Sequence, residues 1–250
     1  MPARVVRLLV TRPEPDATAL KAQLIGMGHE VFVEPLLRPL FHELDPQEVD
    51  FLEAQALIAT SRNGVRALAQ SPLLSAALGL PIYTVGPGTA GTAQALGFQQ
   101  VLQGPRDARA LVGFIAEHAD VNAGSLIYLS GERKAVDVGE ELRHLGFHVQ
   151  EPVVYSVVTA ERLGAPIVAR FQAGEVDGVL LLSAQTARTY ARLMLGCGLS
   201  GKLRNTMHYC LSAEVAKALV VLGAVPSSMP SQPNLKALLT LVARGVSNLP

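Results

Sequence analysis

One pattern limits what this chain can fold into. A short apolar run meets a small polar turn, and a helix-like stretch follows, several times over 250 residues. The clearest copy is Val179-Leu180-Leu181-Leu182 running into Ser183-Ala184-Gln185-Thr186. An earlier one is Ala56-Leu57-Ile58-Ala59 running into Thr60-Ser61-Arg62-Asn63-Gly64-Val65. Consecutive apolar residues without alternation read as a strand covered on both faces. A serine after such a strand can cap the next helix, whose first amides have no partner inside it. Those amides and the helix dipole attract anions.

The copies fall into two repeats. Ser61 and Ser183 lie 122 residues apart, while Tyr83 and Tyr209, Ala90 and Ala216, and Gly97 and Gly223 all lie 126 apart. Ala110-Leu111 and Ala237-Leu238 match at 127, Gly28 and Gly146 at 118, and Glu34-Pro35 and Glu151-Pro152 at 117. Strand ends, turns and terminal glycines recur in order, which marks an internal duplication. Alternating strands and helices give parallel sheets with helices on both faces. The expected fold is therefore α/β, two similar layers, each a small doubly wound parallel sheet. Ligands of such sheets bind beyond the carboxyl ends of the strands, and two such ends would frame a cleft.

The individual elements follow from the same signals. Strands are expected at Val5–Val10, Val31–Val33, Ala56–Ala59, Ile82–Val85, Leu126–Leu129, Val179–Leu182 and His208–Leu211. Helices are expected from about Ala17 to Met27, Asp45-Pro46 to Ala54, Asn63 to Ala69, after Gly91 to about Leu96, Ala108 to His118 and Val136 to Leu145. Three more run from about Thr186 to Leu195, from the end of the turn Ser212 to Ala216 up to Leu222, and from Leu235 to Arg244 behind the cap Asn234. Pro35 and Pro39 make Leu36–Phe41 an extended connector rather than a central strand, and Val149–Val158 is extended around Pro152.

Composition removes several function classes. The formal net charge is +0, which argues against bulk electrostatic binding of nucleic acid. No apolar run approaches the ~20 residues that cross a bilayer. Met1–Arg7 carries basic residues, but Leu8-Leu9-Val10 is too short for the apolar core of a signal peptide. The only cysteines, Cys197 and Cys210, form neither a disulfide framework nor a metal pattern, and a reducing cytoplasm is the expected setting. The six histidines are scattered, and Gly146 interrupts the helix between His144 and His148, so no metal site is expected.

Gly86-x-Gly88-x-x-Gly91 matches the dinucleotide fingerprint as a pattern, with Asp107 as the following carboxylate. It follows a middle strand of its unit, and it equally fits a tight strand-to-helix turn. What remains is a set of polar turns at strand ends: Thr11-Arg12, Thr60 to Gly64, Gly86 to Ala90, Ser130 to Arg133, Ser183 to Thr186 and Ser212 to Glu214. They offer amides, hydroxyls and a few arginines, which suits a small molecule with several carboxylates or phosphates. Ser61, Ser130 and Ser183 have no evident histidine base and read equally as caps. Tyr155, where the repeats join, could donate a proton or could simply pack there.

The ordered set Thr11-Arg12-Pro13, Thr60 to Val65, Val85-Gly86-Pro87-Gly88-Thr89-Ala90, Val153-Val154-Tyr155 and Leu182-Ser183 resembles uroporphyrinogen-III synthase over nearly the whole chain. That resemblance implies two flavodoxin-like domains joined by a two-stranded linker. Residues 1–35 with 159–250 would form the first domain, 42–151 the second, and 36–41 and 152–158 the linker strands. It implies a cyclising hydro-lyase of tetrapyrrole biosynthesis that uses neither metal nor organic cofactor. Hydroxymethylbilane, a linear tetrapyrrole with eight carboxylates, would lose water and close to uroporphyrinogen III with its last pyrrole ring inverted.

Under the resemblance Tyr155 is the catalytic residue that assists departure of the hydroxyl, and Thr89 is a cleft threonine. Ser61 and Ser183 sit in turns whose amides contact substrate carboxylates. The substrate-binding set becomes Arg12, Ser61, Arg62, Asn63, Gly64, Gly86, Gly88, Thr89, Ser130, Ser183, Ala184, Gln185, Thr186 and Ser212. Arg133 is a further charge partner. The chain departs from the family at Ser212-Ala213-Glu214-Val215, where many members carry a glycine and threonines, and Glu214 would face a polyanion. The implied partners are the substrate and, transiently, the enzyme that supplies it. The competing reading is a two-lobed, non-enzymatic binding protein for an anionic metabolite.

Overall fold

The computed structural model describes residues 5–105, 107–134 and 136–245, so part of the basic stretch Met1–Arg7 lies outside the described residues. The chain begins with β1 (Arg7–Val10), α1 (Asp16–Gly26), β2 (Glu30–Val33) and β3 (Leu37–Phe41). Next come β4 (Ala54–Ala59), α2 (Arg62–Leu68), α3 (Leu74–Ala77), β5 (Ile82–Val85), α4 (Gly86–Leu96), β6 (Val101–Gly104) and α5 (Ala108–His118). Then follow β7 (Ser125–Tyr128), β8 (Ser130–Gly131), α6 (Val138–His144), β9 (Val149–Gln150) and β10 (Val153–Thr159). The chain ends with α7 (Ala165–Gln172), β11 (Gly178–Leu181), α8 (Ala184–Gly196), β12 (Met207–Cys210), α9 (Ala213–Lys217), β13 (Ser227–Ser228) and α10 (Leu235–Gly245).

Two compact units result. One contains the residues up to 38 and those from 158 onward; the other is continuous, 39–157. In the discontinuous unit five parallel strands stand in the order β13-β12-β11-β1-β2. Successive side chains of a strand point to opposite faces. Leu9, Val179, Leu181 and Cys210 pack with α7, α8 and α9, whereas Leu8, Val10, Leu180 and Tyr209 pack with α1 and α10. In the continuous unit the parallel order is β6-β5-β4-β7-β9. Leu57, Ala59, Ile82 and Ile127 face α2, α3 and α4, whereas Ala56, Ile58, Tyr83, Leu126 and Tyr128 face α5 and α6. Burying such strands on both faces is what makes their sequences apolar without alternation.

The strand orders explain the repeat. β1, β2, β4, β5 and β6 belong to the first copy; β7, β9, β11, β12 and β13 belong to the second. Each copy gives its first two strands to one sheet and its last three to the other. Numbered within the repeat, both sheets read 5-4-3-1-2, the flavodoxin-like order seen from its far edge. A third, three-stranded sheet has the order β3-β10-β8. The His42 amide donates to the Val154 carbonyl and the Ala160 amide to the Leu36 carbonyl, both at 2.9 Å, so β3 and β10 run antiparallel. Pro39 stands in β3, an edge strand, where its missing N–H costs no ladder bond.

Some elements differ from expectation. The stretch from Asp45 to Glu53 is not a helix. Asp45 accepts the Gln47 amide at 2.8 Å, and Asp50 accepts the amides of Leu52 and Glu53 at 2.9 and 3.3 Å. Such local side-chain bonds compete with helical ones. β6, β13, α3 and α7 carried too few residues of clear period to be read. The helix expected after Ala216 begins earlier, at Ala213, stops at Lys217 and resumes as a 3-10 turn, Val220–Leu222, and α4 begins at Gly86 ahead of the expected start after Gly91. Among the described residues no helix is long and apolar enough to cross a membrane. Cys197 and Cys210 are both free, and burial pushes the Cys210 thiol up to about 11.

Candidate active site

A doubly wound sheet opens a crevice where chain connections leave adjacent strands toward opposite faces. In the discontinuous unit that place lies between β1, which continues into α1, and β11, which continues into α8. In the continuous unit it lies between β4, which leads to α2, and β7, which leads toward α6. The turns at these four strand ends are Thr11-Arg12, Ser183-Ala184, Thr60-Ser61 and Ser130-Gly131, all in the expected set.

At the first crevice the Thr11 hydroxyl is buried and donates to the Leu180 carbonyl at 2.8 Å, tying β1 to β11. Arg12 is half-buried and pairs with Asp16 at 2.9 Å. Ser183 caps α8: its Oγ accepts the Thr186 amide at 3.1 Å and lies 2.7 Å from the Thr186 hydroxyl. The amides of Ala184 and Gln185, in the first turn of a 13-residue helix, have no intrahelical acceptor. They point along the positive end of the helix dipole. Ser212 caps α9 through the Val215 amide at 3.4 Å. Glu214 is exposed in the first turn of α9, where a carboxylate favours the helix dipole.

At the second crevice Ser61 caps α2 by accepting the Asn63 amide at 3.1 Å. A Cβ on Gly64 would lie 2.7 Å from the Leu129 carbonyl oxygen, so the glycine lets α2 start against the end of β7. Gly86 opens α4 with φ +62°, a conformation that favours glycine. Arg62 reaches across to the same helix: a Cβ on Gly88 would stand 3.2 Å from its Nε and 3.3 Å from its Nη2. Thr89 follows, buried at 6% exposure.

Ser130 is buried, and its hydroxyl donates to the Pro152 carbonyl at 3.1 Å, tying β8 to the residue just before β10. Gly131 pairs in register with Tyr155. A Cβ on Gly131 would lie 2.5 Å from Tyr155 Cζ and 2.8 Å from its hydroxyl, so the half-buried phenol rests on bare backbone. The Tyr155 carbonyl accepts the Glu132 amide at 2.9 Å, and Arg133 is exposed.

Tyr128 escaped the sequence reading, and Gly131 was read only as part of the Ser130 to Arg133 turn. The Tyr128 hydroxyl lies 3.0 Å from the Thr60 hydroxyl. Burial pushes its pKa up, and the Thr60 hydrogen bond pulls it part of the way back. A tyrosine closing an apolar strand just before a serine turn was the available signal. Behind it Lys134 bridges Asp137 at 2.7 Å and Glu151 at 2.6 Å, and Arg143 meets Glu151 at 3.0 Å.

The glycine-rich run lacks the packing of a dinucleotide fingerprint. It follows β5, not the strand at the crevice. Open space surrounds Gly91, whereas the third fingerprint glycine exists for close helix–strand packing. Asp107 caps α5 by accepting the Arg109 amide at 3.3 Å. Among the described residues no group of three or more His, Cys, Asp or Glu side chains could hold a metal ion.

A family model described as "Uroporphyrinogen-III synthase HemD" matches residues 18–240. Uroporphyrinogen-III synthetase from Helicobacter pylori is similar in structure, with a TM-score of 0.64 and 19% identity over 96% of this chain and 99% of that one. A mutant uroporphyrinogen III synthase from the extremely thermophilic bacterium Thermus thermophilus is similar at 0.56 and 17% over 97% and 99%. At such identities these two structures speak for the fold. No curated protein matches the chain.

Proposed function

The chain belongs to the uroporphyrinogen-III synthase family, and we propose that it holds its substrate's carboxylates on strand-end amides while Tyr155 assists the loss of water. The reaction is the cyclisation of hydroxymethylbilane to uroporphyrinogen III, a step of tetrapyrrole biosynthesis. In this reading the amides of Ser61 to Gly64 and of Ser183 to Thr186 receive carboxylates, with Gly86, Thr89 and Arg62 beside the former. Neutral donors fixed by the backbone need no reorganisation when charge develops, and this is where electrostatic catalysis gains most.

The chemical step is simple. The C–O bond of the hydroxymethyl group breaks, and its oxygen leaves as water with a proton from the Tyr155 hydroxyl. The exposed carbon is then attacked by the last pyrrole ring at the carbon that already carries its bridge, giving a spiro intermediate. The older bridge bond breaks and re-forms at that ring's unsubstituted carbon, whose proton is released and restores Tyr155, so the ring ends inverted. A freed bilane closes readily, so the protein contributes chiefly by position. The observation that carries this reading is the placement of two serine-capped helix starts, α2 and α8, beside the crevices of equivalent sheets.

Freshly generated hydroxymethylbilane tests it. The expected product is the type III isomer. The type I ring as sole product would overturn the proposal, and tight binding without turnover would favour a two-lobed binding protein instead.

A further inference from the structure

Tyr128 has no task in the reaction outlined above, yet it closes β7 beside a turn that receives a carboxylate in that reading. It pairs in register with Ile58 of β4, and both side chains lie on the face covered by α5 and α6. Thr60 comes two residues past Ile58, and strand alternation turns it to that same face. The phenol runs along the sheet to the strand end, where its oxygen stands 3.0 Å from the Thr60 hydroxyl.

The next residue meets the turn from its other end. The Leu129 amide donates to the Ile58 carbonyl at 2.9 Å, and the Leu129 carbonyl oxygen would lie 2.7 Å from a Cβ on Gly64. Tyr128 and Leu129 thus touch residues 60 and 64, on either side of Ser61, Arg62 and Asn63. Inside the turn the Asn63 amide donates to Ser61 Oγ at 3.1 Å, and the Gly64 amide donates to the Ser61 carbonyl at 3.2 Å.

Burial sets the direction of the bond to Thr60. Each hydroxyl has one hydrogen, and only one of the two lies between the oxygens. Tyr128 is 2% exposed, and among the described residues its hydroxyl has no other partner. As acceptor it would keep its own hydrogen buried and unpaired, the costlier arrangement. Thr60 is half-buried, so its hydrogen can reach solvent. Tyr128 is therefore the donor and Thr60 the acceptor.

Resting on the reading above, we propose that Tyr128 is a positioning residue: by donating to Thr60 it holds the turn from Ser61 to Gly64 where its amides receive a substrate carboxylate. It touches no reacting atom, so its loss is read in KM more than in kcat.

The test uses Tyr128→Phe, which keeps the buried ring and removes the bond. In the hydroxymethylbilane assay KM should rise about 2–10-fold, the range of one neutral hydrogen bond, with a smaller change in kcat. In the ligand-free protein, amide exchange at Asn63 and Gly64 should speed up by a similar factor. The Thr186 amide, capped by Ser183 in the other unit, should exchange as before. Thr60→Val should act as Tyr128→Phe does, Thr60→Ser should restore both readouts, and the double variant should be no worse than the worse single one. Unchanged exchange at Asn63 and Gly64 in Tyr128→Phe overturns the positioning role, as does exchange that speeds equally at Thr186. Faster exchange with KM unmoved, or a fall in kcat at constant KM, overturns the link to carboxylate binding. Wild-type protein that forms no type III isomer refutes the functional reading and this proposal together.

Discussion

Placing one methyl group on Gly131 should silence the tyrosine without touching it. The added Cβ would lie 2.5 Å from Tyr155 Cζ, 2.8 Å from its hydroxyl oxygen and 2.9 Å from Cε2. Ordinary contacts between such atoms sit near ~3.5–4.0 Å, so the end of the ring must retreat by about 1 Å. The backbone of Gly131 lies in β8 and lacks a positive φ, so it accepts alanine. Overpacking of this kind costs about 1–3 kcal/mol. For a chain of this size that lowers Tm by roughly 2–4 °C per kcal/mol. A catalytic group misplaced by about 1 Å loses on the order of 100-fold in rate. Gly131→Ala should thus fold, melt a few degrees early, and form type III isomer about 100-fold more slowly. Tyr155→Phe should lose ~10–100-fold, and adding Gly131→Ala to it should cost little more activity. A Gly131→Ala protein with wild-type kcat and isomer ratio would show that the position of Tyr155 does not govern turnover.

Other expectations follow from individual contacts. Ser183→Ala removes the cap of α8 and should destabilise by ~0.5–2 kcal/mol, read from the urea midpoint. Its rate should fall modestly, because the amides of Ala184 and Gln185 remain; a complete loss in folded protein would assign chemistry to the hydroxyl. Gly64→Ala meets the Leu129 carbonyl, which is backbone and cannot swing aside. Overpacking of ~1–3 kcal/mol should outweigh the helix gain of about 1 kcal/mol, and Tm should fall. Buried His208 donates from Nδ1 to the Pro226 carbonyl at 2.9 Å and accepts at Nε2 from the Tyr190 hydroxyl at 3.1 Å, so the folded protein holds it neutral. Burial lowers its pKa from 6.5, and burial lowers that of His29 as well. Below pH ~6.5 the unfolded chain then binds more protons than the folded one, so stability should fall as pH drops from 6.5 toward 5.5 and stay level above. A urea midpoint that is flat or rises over that fall in pH would contradict this.

What the sequence revealed divides along physical lines. Capping is local, so Ser61, Ser183, Ser212 and Asn234 could be placed from their neighbours alone, and each accepts a helix amide. Runs such as Val179-Leu180-Leu181 announced doubly covered strands. Pairing partners are not local. The repeat spacings identify equivalent residues, but they do not say that each copy divides its strands between two sheets; that idea came only from the resemblance to a family. Four-residue β6 and two-residue β13 lie at sheet edges, where little burial marks them. The need for glycine at 131 depends on a tyrosine that arrives from β10, and the room at Gly88 depends on an arginine from α2. The bond from Ser130 to the Pro152 carbonyl was not legible, because its acceptor is remote in sequence.

The central claim is that backbone amides at α2 and α8 receive the acidic side chains of the tetrapyrrole. Amide-resolved NMR of the whole chain, titrated with uroporphyrinogen III, reads this directly. The account predicts the largest shifts at Ser61 to Gly64 and at Ser183 to Thr186, saturating together. Shifts confined to other surfaces, with both turns unmoved while ligand binds, would contradict it.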